Sequence, residues 1–312
     1  MTEPLETLIT TDPALAGNIL ANAGIVIFPT ETVFGIGASA YNEEACRKIY
    51  TIKNRPKDNP FILHISNLDR IKELAILKPE HQELISVFSP GPITYILPKK
   101  DEKLFSSGLP TIGLRIPSNP LAQKMLEHSN LPIAAPSANL SGKPSITRWE
   151  DAREVFKGKV NAILIGEQSE IGMESTVINL STSPPVLLRP GGISFEELKF
   201  YLPDLKLGAE INTELILSPG LKYKHYSPEC VVIAVPKLPQ IEELNAGQIG
   251  FELNVKMGLN LKINNNQEYM KNLYSFFIDC EKKGLEKIYC ELPKNDNLKE
   301  TIMNRLEKAS EV

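Results

Sequence analysis

GIVIFPTETVFGIG, residues 24–37, reads as a compact apolar strand that stops at Pro29. Three side chains bearing oxygen follow the stop, Thr30, Glu31 and Thr32, and then come Gly35 and Gly37. A polar cluster at a strand end, followed by glycines that leave the backbone open to close approach, is a common design for a ligand site. The same residues also describe a plain turn with threonine caps. This stretch alone does not separate the two.

Working outward, ALAGNILANA (14–23) on one side and EEACRKIYTIKNR (43–55) on the other have helical spacing. KDNPFILHIS (57–66) is a loop feeding a strand, and residues 68–76 and 79–88 read as helices. GPITYILPKK (91–100) and TIGLRIPS (111–118) are strands broken by Pro and Gly. NPLAQKMLEHS (119–129) is a helix with Asn119 as N-cap and Pro120 at its first position. LPIAAPSANLSG (131–142) is a buried strand opening into a small-residue loop. The helix RWEDAREVFKG, the strands NAILIG, STVINLS and PVLLRPG, and FEELKFYLP complete the unit. Strands and helices mix without strict alternation over residues 1–210, which points to an α/β or α+β domain around a twisted mixed sheet.

Residues 211–229 form a proline-bounded linker by position. Its segment LSPGLKYKHYSP (217–228) is richer in tyrosine and cations than an inert connection needs. Residues 230–312 return to alternation. CVVIAVP, IEELNAG, QIGFELN, QEYMKNLYSFFIDCEKK, KIYCELP and LKETIMNRLEKAS read as strand, helix, strand, helix, strand, helix, a small parallel α/β domain. A length of 312 residues suits two such domains.

Composition narrows the function. Net charge is −4, which argues against a dedicated nucleic-acid binder. The four cysteines, Cys46, Cys230, Cys280 and Cys290, form no CxxC pair, and with four histidines and no HExxH the chain shows no zinc pattern. Reduced thiols suit the cytoplasm. The N-terminus MTEPLETLITTDP lacks a signal-peptide pattern, and no apolar run reaches about 18 residues, so neither export nor a membrane span is expected.

Five segments carry candidate chemistry. In IKNRPKDNPFILH, Lys53, Arg55 and Lys57 alternate, which in an extended stretch turns them to one side where they could converge on phosphates. A solvated charge run is the plainer reading. His64 is the one polar residue of the next strand, a position more often held by a satisfied core histidine than by a ligand. Arg115 interrupts an apolar strand and needs a partner there, either a substrate carboxylate or an internal salt bridge. APSANLSG offers Ser137, Asn139 and Ser141 at alternate positions beside small Ala135 and Ala138. MESTVINLS opens a strand with Ser175 and Thr176, and Arg189 ends one before Pro-Gly-Gly.

In order, FPTETVFGIG, K-x-R-P-K-x-x-P, GLRIPS, APSANLSG, ESTVI, LRPG and SPGLKYKHYSP resemble the L-threonylcarbamoyladenylate synthase family in its long, two-domain form. The resemblance is dense over residues 20–230. It implies a YrdC-like α/β domain with a twisted, mostly parallel and partly mixed sheet around a concave active-site cavity, followed by a linker and a small Rossmann-like C-terminal α/β domain. It also implies the reaction. L-threonine and bicarbonate give an N-carboxylated threonine, which attacks the α-phosphorus of ATP to give threonylcarbamoyl-AMP and pyrophosphate. Mg²⁺ is expected with the ATP. A tRNA threonylcarbamoyl transferase is the expected recipient of the product, for modification of the adenosine next to the anticodon.

By the same resemblance, Thr32, His64, Arg115, Ala135 and Ser175 form the threonine end. Arg55, Asn59, Thr111, Ser137, Ser145, Arg189 and Tyr226 contact ATP. Lys53 and Arg55 are the candidate catalytic residues, with Lys57 adding positive potential. Tyr226 reaches back over the nucleotide, with His225 and Tyr223 as its neighbours, and the linker acts as a lid that excludes water. The family often has Tyr where this chain has Phe34, so Phe34 is assigned no polar contact. Two rival readings remain. A carbamoyl-adenylate-forming enzyme of the hydrogenase-maturation type would bring zinc-finger cysteine clusters, which are missing. An RNA-binding module could use the Lys53–Lys57 cations but lacks a second basic stripe.

Overall fold

The structure, a computed structural model, describes residues 5–208, 226–253 and 255–310. Most of the expected linker, including Tyr223 and His225, lies outside the described residues.

The first part of the chain runs β1 (Leu8–Thr10), α1 (Pro13–Ala21), β2 (Val26–Phe28), β3 (Gly35–Ser39), α2 (Glu43–Lys53), β4 (Ile62–His64), α3 (Asp69–Leu74), α4 (Gln82–Phe88), β5 (Ile93–Pro98), β6 (Thr111–Arg115) and α5 (Pro120–Ser129). It continues through β7 (Ile133–Ala135), α6 (Trp149–Phe156), β8 (Ala162–Leu164), β9 (Thr176–Asn179), β10 (Val186–Arg189), α7 (Phe195–Tyr201) and β11 (Lys206–Leu207). These strands form one sheet in the order β1-β8-β2-β3-β7-β4-β6-β5-β9-β10-β11.

The expected mixed sheet is present, but it is not mostly parallel. Parallel pairs (β1 with β8, β2 with β8, β4 with β6, β5 with β9, β10 with β11) are matched by antiparallel ones (β2 with β3, β3 with β7, β4 with β7, β5 with β6, β9 with β10). Short connections such as Pro29–Phe34 allow hairpin-like reversals that a βαβ crossover cannot make.

Strand alternation splits the core in two. Val26, Phe28, Ala162, Leu164, Ile133 and Ala135 point to one face, under α1 and α5. Ile27, Ile163 and Ala134 point to the other, under α2 and α6. A period of two along each strand produces this division. On the first face α1 and α5 cross closely at Gly17. A Cβ there would lie 2.7 Å from Met125 O and 2.8 Å from His128 Cβ. The expected cap of α5 forms: Asn119 Oδ1 accepts from Leu121 N at 3.0 Å and Ala122 N at 3.1 Å, with Pro120 opening the helix.

The second part comprises β12 (Val231–Val235), β13 (Glu243–Gly250), β14 (Met257–Lys262), α8 (Asn266–Lys282), β15 (Lys287–Glu291) and α9 (Lys299–Ser310). Its sheet, β12-β15-β13-β14, is parallel throughout. IEELNAG does not form the expected helix. From Glu243 it joins the following QIG as one long strand, and Met257–Lys262 adds a fourth strand that periodicity did not reveal. Ala246 pairs with β15 and Gly247 pairs with both β14 and β15, and Gly247 lies against Cys280 and Phe276 of α8, where a side chain would collide. Helix propensity loses to sheet pairing at this point.

Candidate active site

Several of these strands end around one cleft that is open at its mouth, with about 680 Å³ of empty space when the adjoining solvent is included. The β2–β3 turn supplies one wall through Thr30, Thr32, Val33 and Phe34. Thr30 Oγ1 donates to Val33 O at 2.6 Å and accepts from Thr32 N at 3.2 Å, so the turn closes on its own hydroxyl. Both readings of FPTET thus hold: the stretch is a threonine turn, and the turn faces a cavity. Gly35 lines the cleft, but Gly35 and Gly37 also make room for the Phe28 ring. An added Cβ would lie 2.9 Å from that ring at either position.

Sheet register brings His64 and Arg115 side by side, because β4 and β6 are parallel with these two residues paired. Arg115 Nη2 donates to Glu31 Oε1 at 2.8 Å, and Ser118 N donates to Glu31 Oε2 at 3.1 Å. The internal partner left open for Arg115 is therefore Glu31, and the pair still lies at the cavity: Arg115 lines it. His64 Nδ1 lies 3.3 Å from Ile62 O, and its ring meets the Phe28 ring edge-on at 5.7 Å. Burial, followed by the neighbouring Arg115 charge, pushes the His64 pKa down to about 3, so the imidazole is neutral at physiological pH. Ser175 Oγ lies 2.8 Å from Thr94 Oγ1 and accepts from Arg189 Nη2 at 3.2 Å. Ala135 completes this end of the cleft.

At the other end, Arg55 Nε donates to Asn59 O at 3.3 Å and Nη2 to Pro60 O at 3.2 Å, which fixes the guanidinium against the cavity. Burial pulls its pKa to about 10, which leaves it charged at neutral pH. Ser137 Oγ donates to Asn139 Oδ1 at 2.5 Å, and Asn139 Nδ2 donates to Leu140 O and Lys143 O, so the small-residue loop is internally braced. Arg189 Nε donates to Ser175 O at 3.0 Å. Tyr226 is buried against the cleft with φ +65, a left-handed conformation that an aromatic residue rarely adopts. Its hydroxyl is hydrogen-bonded to Arg189.

The cleft thus brings together Thr32, Arg55, His64, Arg115, Ala135, Ser137, Ser145, Ser175, Arg189 and Tyr226. Three expected site residues fall elsewhere. Lys53 is the last residue of α2, not part of an extended run. It is fully buried behind the wall, where Nζ donates to Ser137 O at 2.6 Å and to Asn139 O. Asn54 then takes a left-handed cap with φ 51, so Lys53, Arg55 and Lys57 diverge, and Lys57 lines a separate surface groove with Arg47 and Lys99. Asn59 lies behind Arg55 and holds it through its backbone carbonyl. Thr111 starts β6 at the end opposite Arg115, about 13 Å away at ~3.3 Å per residue. It lines a small separate cavity, and among the described residues its buried Oγ1 has no hydrogen-bond partner.

Glu31, Glu174, Tyr274 and Arg305 brace the site through charge and hydrogen bonds and had no role assigned from the sequence. Glu31 and Glu174 stood inside quoted segments, but their neighbours drew the assignment. Glu174 Oε1 accepts from Ser145 Oγ at 2.5 Å, while Oε2 accepts from Tyr274 OH at 3.0 Å and Arg305 Nε at 3.2 Å. Burial raises the Glu174 pKa, but Arg305, Arg189 and Ser145 outweigh it and hold the group below its ordinary value. Tyr274 and Arg305 come from α8 and α9. The one available signal was helical phase, because Arg305 shares a face with Thr301, Ile302, Leu306 and Ala309.

Comparison with known proteins identifies the group. A family described as "Telomere recombination", covering Sua5, YciO and YrdC proteins, matches residues 18–191, and the threonylcarbamoyl-AMP synthase C-terminal domain matches residues 193–311. Threonylcarbamoyl-AMP synthase of Pyrococcus abyssi is 37% identical over 95% of this chain and 93% of its own length. The chain belongs to the threonylcarbamoyl-AMP synthase family. The Bacillus subtilis threonylcarbamoyl-AMP synthase is 43% identical over 72% of this chain and 67% of its own. A crystal structure of P. abyssi Sua5 complexed with L-threonine, 34% identical, matches with a TM-score of 0.85 over 98% of this chain and 97% of that one. Threonylcarbamoyl-AMP synthases are ATP-using enzymes of the nucleotidyltransferase type that serve tRNA modification. Among the described residues no helix is long and apolar enough to cross a membrane.

Proposed function

We propose that the cleft joins L-threonine, bicarbonate and ATP into threonylcarbamoyl-AMP and pyrophosphate. The observation that carries this reading is the distribution of buried charge. Arg55, Arg115 and Arg189, all buried, line one cleft, and no lysine, cysteine or aspartate lines it among the described residues. None of its serines is hydrogen-bonded to His64: Ser137 pairs with Asn139, Ser145 with Glu174, and Ser175 with Thr94 and Arg189. Among the described residues no serine–histidine pair is present to activate an enzyme-borne nucleophile, and Glu174, the partner of Ser145, is itself held by Arg305. The chemistry suited to such a site is one in which the substrates carry both nucleophile and leaving group, and the protein contributes positioning and neutralisation.

In this reading Arg115, held by Glu31, offers its remaining donors to the threonine carboxylate. Neutral His64 and Thr32 meet the amino-acid side chain, with Ala135 leaving room and Ser175 adding a hydroxyl. Arg55, Ser137, Ser145, Arg189 and Tyr226 form the ATP end. Lys53 acts from behind by holding the Ser137–Asn139 carbonyls. The carboxylate of N-carboxylated threonine attacks the α-phosphorus in line with the departing pyrophosphate, whose charge Arg55 and Arg189 stabilise. Mg²⁺ would arrive with the nucleotide and help neutralise its phosphates. Glu174, which lines the cleft, and Glu31, which holds Arg115, are both engaged by arginines, and the described residues form no cluster of three or more His, Cys, Asp or Glu side chains suited to a metal. Phosphate oxygens and water are therefore its natural ligands.

The product passes in the cytoplasm to a tRNA threonylcarbamoyl transferase, without stable nucleic-acid binding by this chain. The test is pyrophosphate release measured with each substrate omitted in turn. The reading requires release to depend on threonine and bicarbonate together. Release with ATP alone at the same rate contradicts it.

A further inference from the structure

The second sheet unit reaches the cleft through one buried cluster. Arg305 of α9 is fully buried. Beyond its contact with Glu174, its Nη2 donates to Pro190 O at 2.9 Å and its Nη1 to Asn304 Oδ1 at 2.7 Å. Its guanidinium carbon lies 5.3 Å from the centre of the Tyr226 ring. Tyr274 of α8 also stacks on that ring at 5.4 Å, and its hydroxyl donates to Glu174. Thr301, one turn before Arg305, donates to Gly191 O at 2.9 Å. Gly191 itself lies so close to the start of β9 that a Cβ would fall 2.2 Å from Thr176 N. The α9 face therefore grips the 174–176 and 189–191 segments at the same place.

This corner of the wall contains two arginines, Arg189 and Arg305, and one carboxylate, Glu174. With both arginines present its balance is positive, which suits a polyphosphate. Arg305 supplies the direct pair to Glu174 from behind the wall, and Arg189 acts on that carboxylate through its charge. Without Arg305, Glu174 would be a carboxylate lining the cleft with Arg189 as its compensating cation. It would then compete with phosphate for that arginine, and Tyr226 would lose the cation beneath its ring.

We propose that Arg305 is a positioning residue for the nucleotide end of the cleft. It acts through Glu174 and Tyr226 to keep the phosphate-facing wall positive, so the second unit completes the ATP site. The inference rests on the assignment of Ser145, Arg189 and Tyr226 to ATP.

The experiment is steady-state pyrophosphate release by the full chain, with KM for ATP and for threonine measured separately and folding checked by circular dichroism. Arg305→Met is expected to raise KM for ATP tenfold or more while KM for threonine stays within twofold. Adding Glu174→Gln to Arg305→Met removes the uncompensated carboxylate and is expected to recover a large part of the ATP defect. A purely structural role predicts no such recovery and no split between substrates. An unchanged KM for ATP in folded Arg305→Met, equal rises for both substrates, or a double variant no better than the single one overturns the inference. If Arg305→Met does not fold, Arg305→Lys retains the charge but cannot span Glu174 and Pro190 O together. A severalfold rise in KM for ATP alone is then expected, and wild-type behaviour overturns the proposal. Wild-type protein that releases no pyrophosphate in the presence of threonine and bicarbonate overturns the reading of the cleft itself. An active wild type with an indifferent Arg305 overturns only the inference.

Discussion

His64 gives the site a pH signature that can be measured without substrate. Its pKa is pushed from 6.5 to about 3 in the fold, first by burial and then by Arg115. The unfolded chain therefore takes up the proton first as pH falls. The stability that His64 contributes is complete above about pH 6.5 and drains away as pH drops toward 3. At pH 5 the loss is about 2 kcal/mol, and the full shift amounts to roughly 5 kcal/mol, at ~1.4 kcal/mol per pKa unit. His64→Gln removes the titration while keeping a polar side chain. Urea denaturation of wild type and His64→Gln at pH 7.5 and pH 5.0 isolates this contribution, because every other carboxylate and histidine titrates in both proteins. The stability difference between them should shift by about 2 kcal/mol over that interval, with wild type losing more at pH 5. Parallel profiles would mean that His64 keeps an ordinary pKa in the fold, and the neutral imidazole assigned to the threonine end would have to be abandoned.

Arg55→Ala should abolish pyrophosphate release while leaving a folded protein, since it removes hydrogen bonds to only two backbone carbonyls, a loss of about 1–3 kcal/mol; near-wild-type turnover in a folded variant contradicts the phosphate role. Lys53→Met should lower stability by about 2–4 kcal/mol, because it orphans the Ser137 and Asn139 carbonyls behind the wall; any loss of activity should track denaturation, whereas a stable but inactive variant would return Lys53 to the chemistry. Thr111→Val keeps the shape of a buried side chain and removes an unpaired hydroxyl. It should leave KM for ATP unchanged and raise stability by up to about 1 kcal/mol, and a clear rise in KM would restore Thr111 to the ATP site.

Residues whose position follows from local rules were legible in the sequence. The strand ending at Pro29, the Asn119–Pro120 helix start and the Ser137 loop each carry their own punctuation, and the register between β4 and β6 then joins His64 to Arg115. The failures share a cause. Alternation of Lys53, Arg55 and Lys57 implied convergence only if the stretch was extended, but α2 runs on to Lys53 and the left-handed Asn54 breaks the phase. Thr111 and Arg115 share a strand but sit at opposite ends of it. The even split of parallel and antiparallel pairs depends on strand order, which no single segment encodes. Arg305 lies 131 residues from its partner Glu174, a pairing that no local rule in the sequence encodes.

The identity of the product is the most direct test of this chemistry. Mass spectrometry of the nucleotide formed from L-threonine, bicarbonate and ATP should detect threonylcarbamoyl-AMP, with heavy bicarbonate carried into the carbamoyl carbon, and much less adduct when serine replaces threonine. AMP without an amino-acid adduct, or an adduct that ignores labelled bicarbonate, would contradict it.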